Sequence, residues 1–164
     1  MKISFELNGK ATSLEIEPRE TLAEVLRARC RLTGVKLSCE SQVCGTCTVL
    51  VDGLPVSACT YLAYEVRDKR VTTIEGLADG AGRLHPLQQA FLDHFAFQCG
   101  FCTPGMILAA KSLLDRNPRA SDQEIIAYMN GNLCRCTGYL GILKAIRQAS
   151  AQMRGPAEKK RAKS

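Results

Sequence analysis

Cys39, Cys44 and Cys47 stand at C-x4-C-x2-C, and Cys59 follows after eleven further residues. Three cysteines at this spacing with a fourth arriving later is the arrangement in which four thiolates hold the two irons of a plant-type 2Fe-2S cluster. The motif also dictates local structure. Thr48-Val49-Leu50-Val51 is a β-rich run, Asp52-Gly53 is a hairpin turn signal, and Leu54 to Ala58 leads back, so Cys59 is expected to return beside Cys47. The other three cysteines then lie on a tight loop whose backbone amides point inward at sulfur and favour a negatively charged core. A second set follows at Cys99-Gly100-Phe101-Cys102 and Cys134-Arg135-Cys136, which leaves Cys30 alone among the 9 cysteines.

Other uses of grouped cysteines stay open at this point. C-x2-C is common in zinc sites, although structural zinc sites usually pair it with another C-x2-C or with H-x3-H rather than with C-x-C. Disulfides require an oxidising compartment. The start, Met1-Lys2-Ile3-Ser4-Phe5, alternates like a strand instead of showing an export signal, and no apolar run approaches the length of a transmembrane helix. A cytoplasmic location is therefore the expectation, and in that reducing compartment grouped thiols favour metal over disulfides.

Taken in order, the chain divides in two. Lys2 to Leu7 alternates apolar and polar, Asn8-Gly9 is a type I′ turn signal, and Thr12 to Ile16 continues as a second strand. Thr21-Leu22-Ala23-Glu24 is a capping box that opens a helix through about Cys30, with Leu22, Val25, Leu26 and Cys30 on one face. On that face Cys30 reads as core filler. The cysteine loop and its hairpin follow, and Val71 to Ile74 closes a small α+β unit over 1–76. Gly76, Gly80 and Gly82 mark a linker over 77–83. Beyond it, Leu84, Leu87, Phe91 and Phe95 recur at helical spacing up to Gln98. Thr103-Pro104 offers an N-cap and a first-turn proline for a second helix to about Arg116, and Ser121 to Glu124 caps a third ending near Asn130. A fourth runs from about Tyr139 to Met153. Four helices with short connections over 84–153 make a bundle in which Cys99, Cys102, Cys134 and Cys136 meet at one end, with helix N-termini favouring a negatively charged site.

Net charge is +6, but Arg154, Lys159, Lys160, Arg161 and Lys163 against Glu158 place +4 of it at the end. The stretch 154–164 reads as a disordered basic tail. Binding of nucleic acid or of an acidic membrane surface is the sharper alternative, but no aromatic residue interleaves these charges, and no nucleic-acid partner is expected. No catalytic constellation is visible. His85 and His94 are the only histidines, with no paired acid or nucleophile, and read as surface or helix-packing residues.

The blocks Cys44-Gly45-Thr46-Cys47-Thr48-Val49, Gln98-Cys99-Gly100-Phe101-Cys102-Thr103-Pro104-Gly105 and Gly131-Asn132-Leu133-Cys134-Arg135-Cys136-Thr137-Gly138-Tyr139 resemble the signature blocks of one family. It is the small iron-sulfur subunit of the molybdenum hydroxylases, the xanthine dehydrogenase, aldehyde oxidoreductase and carbon monoxide dehydrogenase family. The resemblance covers about residues 1–153. It implies an N-terminal β-grasp ferredoxin-like 2Fe-2S domain followed by an all-α four-helix 2Fe-2S-binding domain. It implies an electron-transfer subunit of an oxidoreductase with no catalytic residues of its own. Its partners would be a large subunit carrying the molybdopterin cofactor and a medium subunit carrying FAD, in a dimer of heterotrimers. Electrons would pass from molybdenum to the Cys99, Cys102, Cys134 and Cys136 site, then to the Cys39, Cys44, Cys47 and Cys59 site, then to flavin. By the same resemblance Gln98 hydrogen-bonds the pterin and Cys136 bridges cluster and pterin. A freestanding two-cluster carrier is the alternative, and an exposed apolar patch around Phe97, Phe101 and Met106 would argue against it. One departure stands out: many members have glycine where Gln42 stands, and a side chain there would strain any backbone with φ above zero. Thr46, where alanine is frequent, would add a hydroxyl near sulfur.

Overall fold

A computed structural model describes residues 1–154; apart from Arg154, the basic tail lies outside the described residues. Strands β1 (Lys2–Leu7) and β2 (Lys10–Glu15) form the first hairpin, with Ile3, Phe5 and Leu7 of β1 facing inward. Asn8 at φ 50° and Gly9 at φ 79° form the left-handed pair that a two-residue turn of this hand needs. Helix α1 (Leu22–Glu24) opens on the expected capping box. It does not continue as α-helix to Cys30. Val25–Arg29 is π-helical, and the Cys30 N–H reaches back five residues to the Val25 carbonyl at 3.1 Å. Leu22, Val25 and Leu26 stay fully buried through this wider turn.

Strands β3 (Thr48–Val51) and β4 (Leu54–Ser57) form the second hairpin, again over a left-handed pair, Asp52 and Gly53. The closing strand β5 (Arg70–Thr72) is shorter than the Val71 to Ile74 run, because Ile74–Gly76 turns into a 3-10 helix. The sheet order is β2-β1-β5-β3-β4, with β1 and β5 parallel and the other pairs antiparallel. This is the ferredoxin-like arrangement. Every residue of β3 is buried: Val49 and Val51 join the core under α1, whereas Leu50 on the opposite face joins the core of the helical half.

The helical half comprises α2 (Pro86–Asp93), α3 (Thr103–Arg116), α4 (Asp122–Met129) and α5 (Leu140–Met153). Leu87, Phe91, Met106, Leu108, Leu114, Ile125, Ile142 and Ile146 are its fully buried large side chains. Two starts and one end differ from the sequence pattern. His85, not a hydroxyl residue, caps α2: its Nδ1 accepts from the Leu87 N–H at 3.2 Å. α3 begins one residue early, with Cys102 at the cap, and leaves the Thr103 hydroxyl buried and without a partner. α2 stops at Asp93 rather than near Gln98. Phe95 adopts φ 49°, which a helix cannot continue, and stands 84 % exposed. His94 joins α2 to α5 through Gln148 Oε1 at 2.7 Å.

Candidate metal centres

The β3–β4 hairpin does what its turn demands. Thr48 pairs with Ser57, the Ala58 N–H reaches the Cys47 carbonyl, and the thiols of Cys47 and Cys59 come within hydrogen-bonding contact. Cys39 and Cys44 form a second thiol pair on the loop before β3. Three amides of that loop, of Ser41, Cys44 and Val43, point at Cys39 sulfur, with the Cys44 N–H at 3.4 Å. They hold the Cys39 thiol well below its ordinary range, at about 6. Burial does the reverse at Cys47, aided by the neighbouring Cys59 and Cys44, and pushes it up to about 12.

The loop makes its turns with side chains in unfavourable backbone. Gln42 has φ 63°, so the strain expected of a non-glycine residue there is present, and its Oε1 accepts from the Thr60 hydroxyl at 3.2 Å. Glu40, Ser41, Gln42 and Val43 form the exposed tip. Gly45, at φ 66°, sits where a Cβ would overlap the Gly131 carbonyl and the Asn132 amide. Thr46 is buried in the same loop.

The second set converges between helix ends. Cys99 and Cys136 sulfurs lie 3.7 Å apart and exposed, and Cys102 and Cys134 pair more deeply. Burial, then the nearby Cys134 and Cys99, push Cys102 up to about 12. Burial also acts upward on Cys134, but the Thr137 hydroxyl and the amides of Thr137 and Cys136 outweigh it and bring that thiol below its ordinary range. Cys136 is raised by its thiol contact with Cys99. Gln98 is exposed, and its Nε2 donates to the Cys136 carbonyl at 2.9 Å, so the two residues expected at a pterin stand together.

Eight thiols thus make four pairs in two places. Two thiolates sharing one tetrahedral metal at bonds of about 2.3 Å stand about 3.7 Å apart, which the Cys99 and Cys136 pair matches. A structural zinc asks for four ligands together, whereas a two-iron core takes two thiolates at each iron. The donor set fits the latter. Cys30 belongs to neither site; it packs on the N-terminal core, and burial raises its thiol.

The spacing of the cysteines does not reveal how the two sites are joined. The Leu133 N–H, one residue before Cys134, donates to the Cys44 carbonyl at 2.9 Å. Buried Asn132 donates from Nδ2 to the Gly45 carbonyl at 2.8 Å and to Thr48 Oγ1 at 3.3 Å. Gly105 of α3 packs directly on the Gly45 carbonyl. Farther along, Ser112 of α3 donates to the Gly53 carbonyl at 2.7 Å. The three residues whose exposure would tell against a freestanding carrier divide: Met106 is fully buried, Phe97 is half-buried and Phe101 is exposed, and Phe95, Leu140 at 71 % and Leu92 are exposed as well. Leu84, Leu92 and Phe97 line an apolar hollow of about 310 Å³.

Two protein families match the chain. Residues 5–77 match a 2Fe-2S iron-sulfur cluster binding domain, and residues 73–147 match a 2Fe-2S binding domain. The nicotine 6-hydroxylase small subunit of Paenarthrobacter nicotinovorans is 46% identical over 153 residues, 93% of this chain and 92% of that one. The nicotinate dehydrogenase small FeS subunit of Eubacterium barkeri is 49% identical over 147 residues, 90% of this chain and 93% of that one. Among solved structures, quinoline 2-oxidoreductase from Pseudomonas putida 86 superposes with a TM-score of 0.89 at 47% identity, covering 93% of this chain and 94% of that chain. Aldehyde oxidoreductase from Desulfovibrio desulfuricans ATCC 27774 has a TM-score of 0.89 at 42% identity and covers 94% of this chain, which spans only 17% of that longer one.

Proposed function

Because the chain belongs to the small iron-sulfur subunits of the molybdenum hydroxylases, we propose that Cys39, Cys44, Cys47 and Cys59 hold one of its two 2Fe-2S clusters and Cys99, Cys102, Cys134 and Cys136 the other. The chain is an electron-transfer subunit of a multisubunit oxidoreductase, and substrate chemistry belongs to its partners. When bound, each cluster takes up and gives back one electron.

The residues divide the work. The loop amides on Cys39 and the Thr137 groups on Cys134 hold sulfur in its anionic form and orient it for metal. Buried Cys47 and Cys59 and half-buried Cys102 form the inner side of their sites, while Cys99, Cys136 and Gln98 stay at the surface. That exposed trio is the receiving end, where Gln98 and Cys136 meet the molybdopterin of a large subunit. The exposed tip 40–43 is the delivering end, toward FAD on a medium subunit. The observation that carries this reading is the Leu133 N–H on the Cys44 carbonyl, which joins the two ligand loops by one backbone hydrogen bond.

The complex is a cytoplasmic dimer of heterotrimers in this reading. No helix among the described residues is long and apolar enough to cross a membrane, and thiols grouped as metal ligands suit a reducing compartment. Exposed Phe95, Leu140, Leu92 and Phe101 favour a permanently docked subunit over a freestanding carrier. Several relatives are named for N-heteroaromatic compounds, including nicotinate, quinoline and caffeine, so that class comes first in a substrate screen.

The test is low-temperature EPR of the dithionite-reduced complex, purified from its native source. Two distinct S = 1/2 signals are expected, together with a Mo(V) signal from the co-purifying large subunit. A single iron-sulfur signal would remove one ligand set from the reading. No iron-sulfur signal would overturn it.

A further inference from the structure

Three hydrogen bonds close a ring beside Cys134. The Cys134 N–H donates to the Tyr139 hydroxyl at 2.8 Å, the Tyr139 N–H donates to Thr137 Oγ1 at 3.3 Å, and Thr137 Oγ1 donates to Cys134 Sγ at 3.2 Å. The Thr137 N–H adds a second bond to the same sulfur at 3.4 Å. Gly138 at φ 63° and Tyr139 at φ 68°, two consecutive left-handed residues, fold the chain back so that the ring closes. A threonine hydroxyl has one proton to give. With the Tyr139 N–H on an oxygen lone pair, that proton is aimed at sulfur.

The first site is supplied differently. The donors that face Cys39 sulfur are backbone amides and the neighbouring Cys44 thiol, and the amides are fixed by the path of the loop whatever side chains it carries. At Cys134 one donor is a side chain that a single substitution removes. Reduction adds one negative charge to a cluster, and part of it resides on the ligand sulfurs. An O–H donated to sulfur stabilises the more negative form more strongly and so raises the potential.

We propose that Thr137, through its hydroxyl on Cys134 sulfur, sets the reduction potential of the second cluster and with it the potential step between the two clusters. Thr137 is a positioning and tuning residue. It acts through Cys134, and the proposal rests on the reading of Cys134 as a ligand given above. The Thr137 amide on the same sulfur survives any substitution at 137 except proline, so the hydroxyl contributes a shift, not the existence of the site.

The experiment is an EPR-monitored potentiometric titration of the purified complex carrying Thr137→Val, Thr137→Ala or Thr137→Ser, with the first cluster as internal reference. The Val and Ala variants are expected to lower the reduced-to-oxidised ratio of the second cluster, at a fixed potential, by about three- to tenfold. At 59 mV per decade that is a potential lower by about 30–60 mV. Thr137→Ser restores the original value, and the first cluster does not move. An unchanged second-cluster potential in Val and Ala, with both signals present, overturns the proposal. A fall in Ser equal to that in Val overturns it too, because packing of the methyl group would then be the cause. Loss of the second signal in both Val and Ala makes Thr137 a structural residue and likewise overturns it. Absence of the second signal from the unsubstituted complex would instead mark failure of the ligand reading, visible before any variant is made.

Discussion

Gly105→Ala pits two effects of opposite sign against each other. In an exposed helix the change stabilises by about 0.5–1 kcal/mol, because alanine has less backbone freedom to lose. Gly105 lies in the first turn of α3, but a Cβ there would stand 2.5 Å from the Gly45 carbonyl oxygen and 3.0 Å from that of Thr46. Even the short C···O contacts of weak hydrogen bonds run at about 3.3–3.6 Å, so the loop or the helix must retreat by roughly 0.8 Å. Neither partner is a flexible side-chain end. The Gly45 carbonyl is held by Asn132 Nδ2 and by the Thr48 hydroxyl at 2.7 Å. Forcing a methyl into such a contact costs about 1–3 kcal/mol, and after the propensity gain a net loss of about 0.5–2 kcal/mol remains. For a chain of this size that is a fall in Tm of about 1–8 °C. The assay is thermal bleaching of the visible cluster absorbance, with Gly80→Ala, which meets nothing within 4 Å, as the control. A Gly105→Ala protein that melts at or above the unsubstituted temperature, as propensity alone dictates, would refute the close approach of α3 to the ligand loop.

Gln42→Gly relieves a side chain held at φ 63°. About 1–2 kcal/mol of left-handed strain is recovered against about 0.5–1 kcal/mol of added chain entropy, so the same assay reads a rise of about 1–4 °C, and a fall would contradict the strain. In the metal-free chain, Cys39 at about 6 is mostly thiolate above that pH, whereas Cys47 and Cys102 at about 12 stay protonated to well beyond pH 9. Iodoacetamide followed by mass spectrometry should therefore modify Cys39 first, increasingly between pH 5 and 7, and leave Cys47 and Cys102 unlabelled; equal rates at Cys39 and Cys30 would show that the loop amides do not reach the sulfur.

What could be read from the chain was local. Asn8-Gly9 and Asp52-Gly53 announce their hairpins because a type I′ turn needs two residues at positive φ, and both capping boxes, Thr21 to Glu24 and Ser121 to Glu124, form as written. Cysteine spacing likewise encodes thiol placement over a few residues. Periodicity misled at Phe95, which falls on the apolar face of a helix that ends before reaching it. The π-helical turn at Val25–Arg29 has no composition signal, since the same residues suit an α-helix. The parallel pairing of Leu7 with Val71 and the bonds from Asn132 to Gly45 and from Leu133 to Cys44 span 64 to 89 residues of chain, and no local pattern specifies such distant partners. Thr137 and Tyr139 stood within the quoted signature, but only the left-handed backbone between them shows why their hydroxyls matter to Cys134.

Strand β3 has a consequence for anyone wishing to borrow half of this molecule. Its residues alternate between two cores, Val49 and Val51 on one side and Leu50 on the other, with Ser112 of α3 stitched to the turn at Gly53. The glycines near 76–82 therefore join two lengths of sequence, not two portable modules. A ferredoxin-like half transplanted alone would carry Leu50 naked into water and leave the Gly45 carbonyl with Thr48 but without Asn132, so the wall that α3 leans on would first have to be repainted with polar side chains.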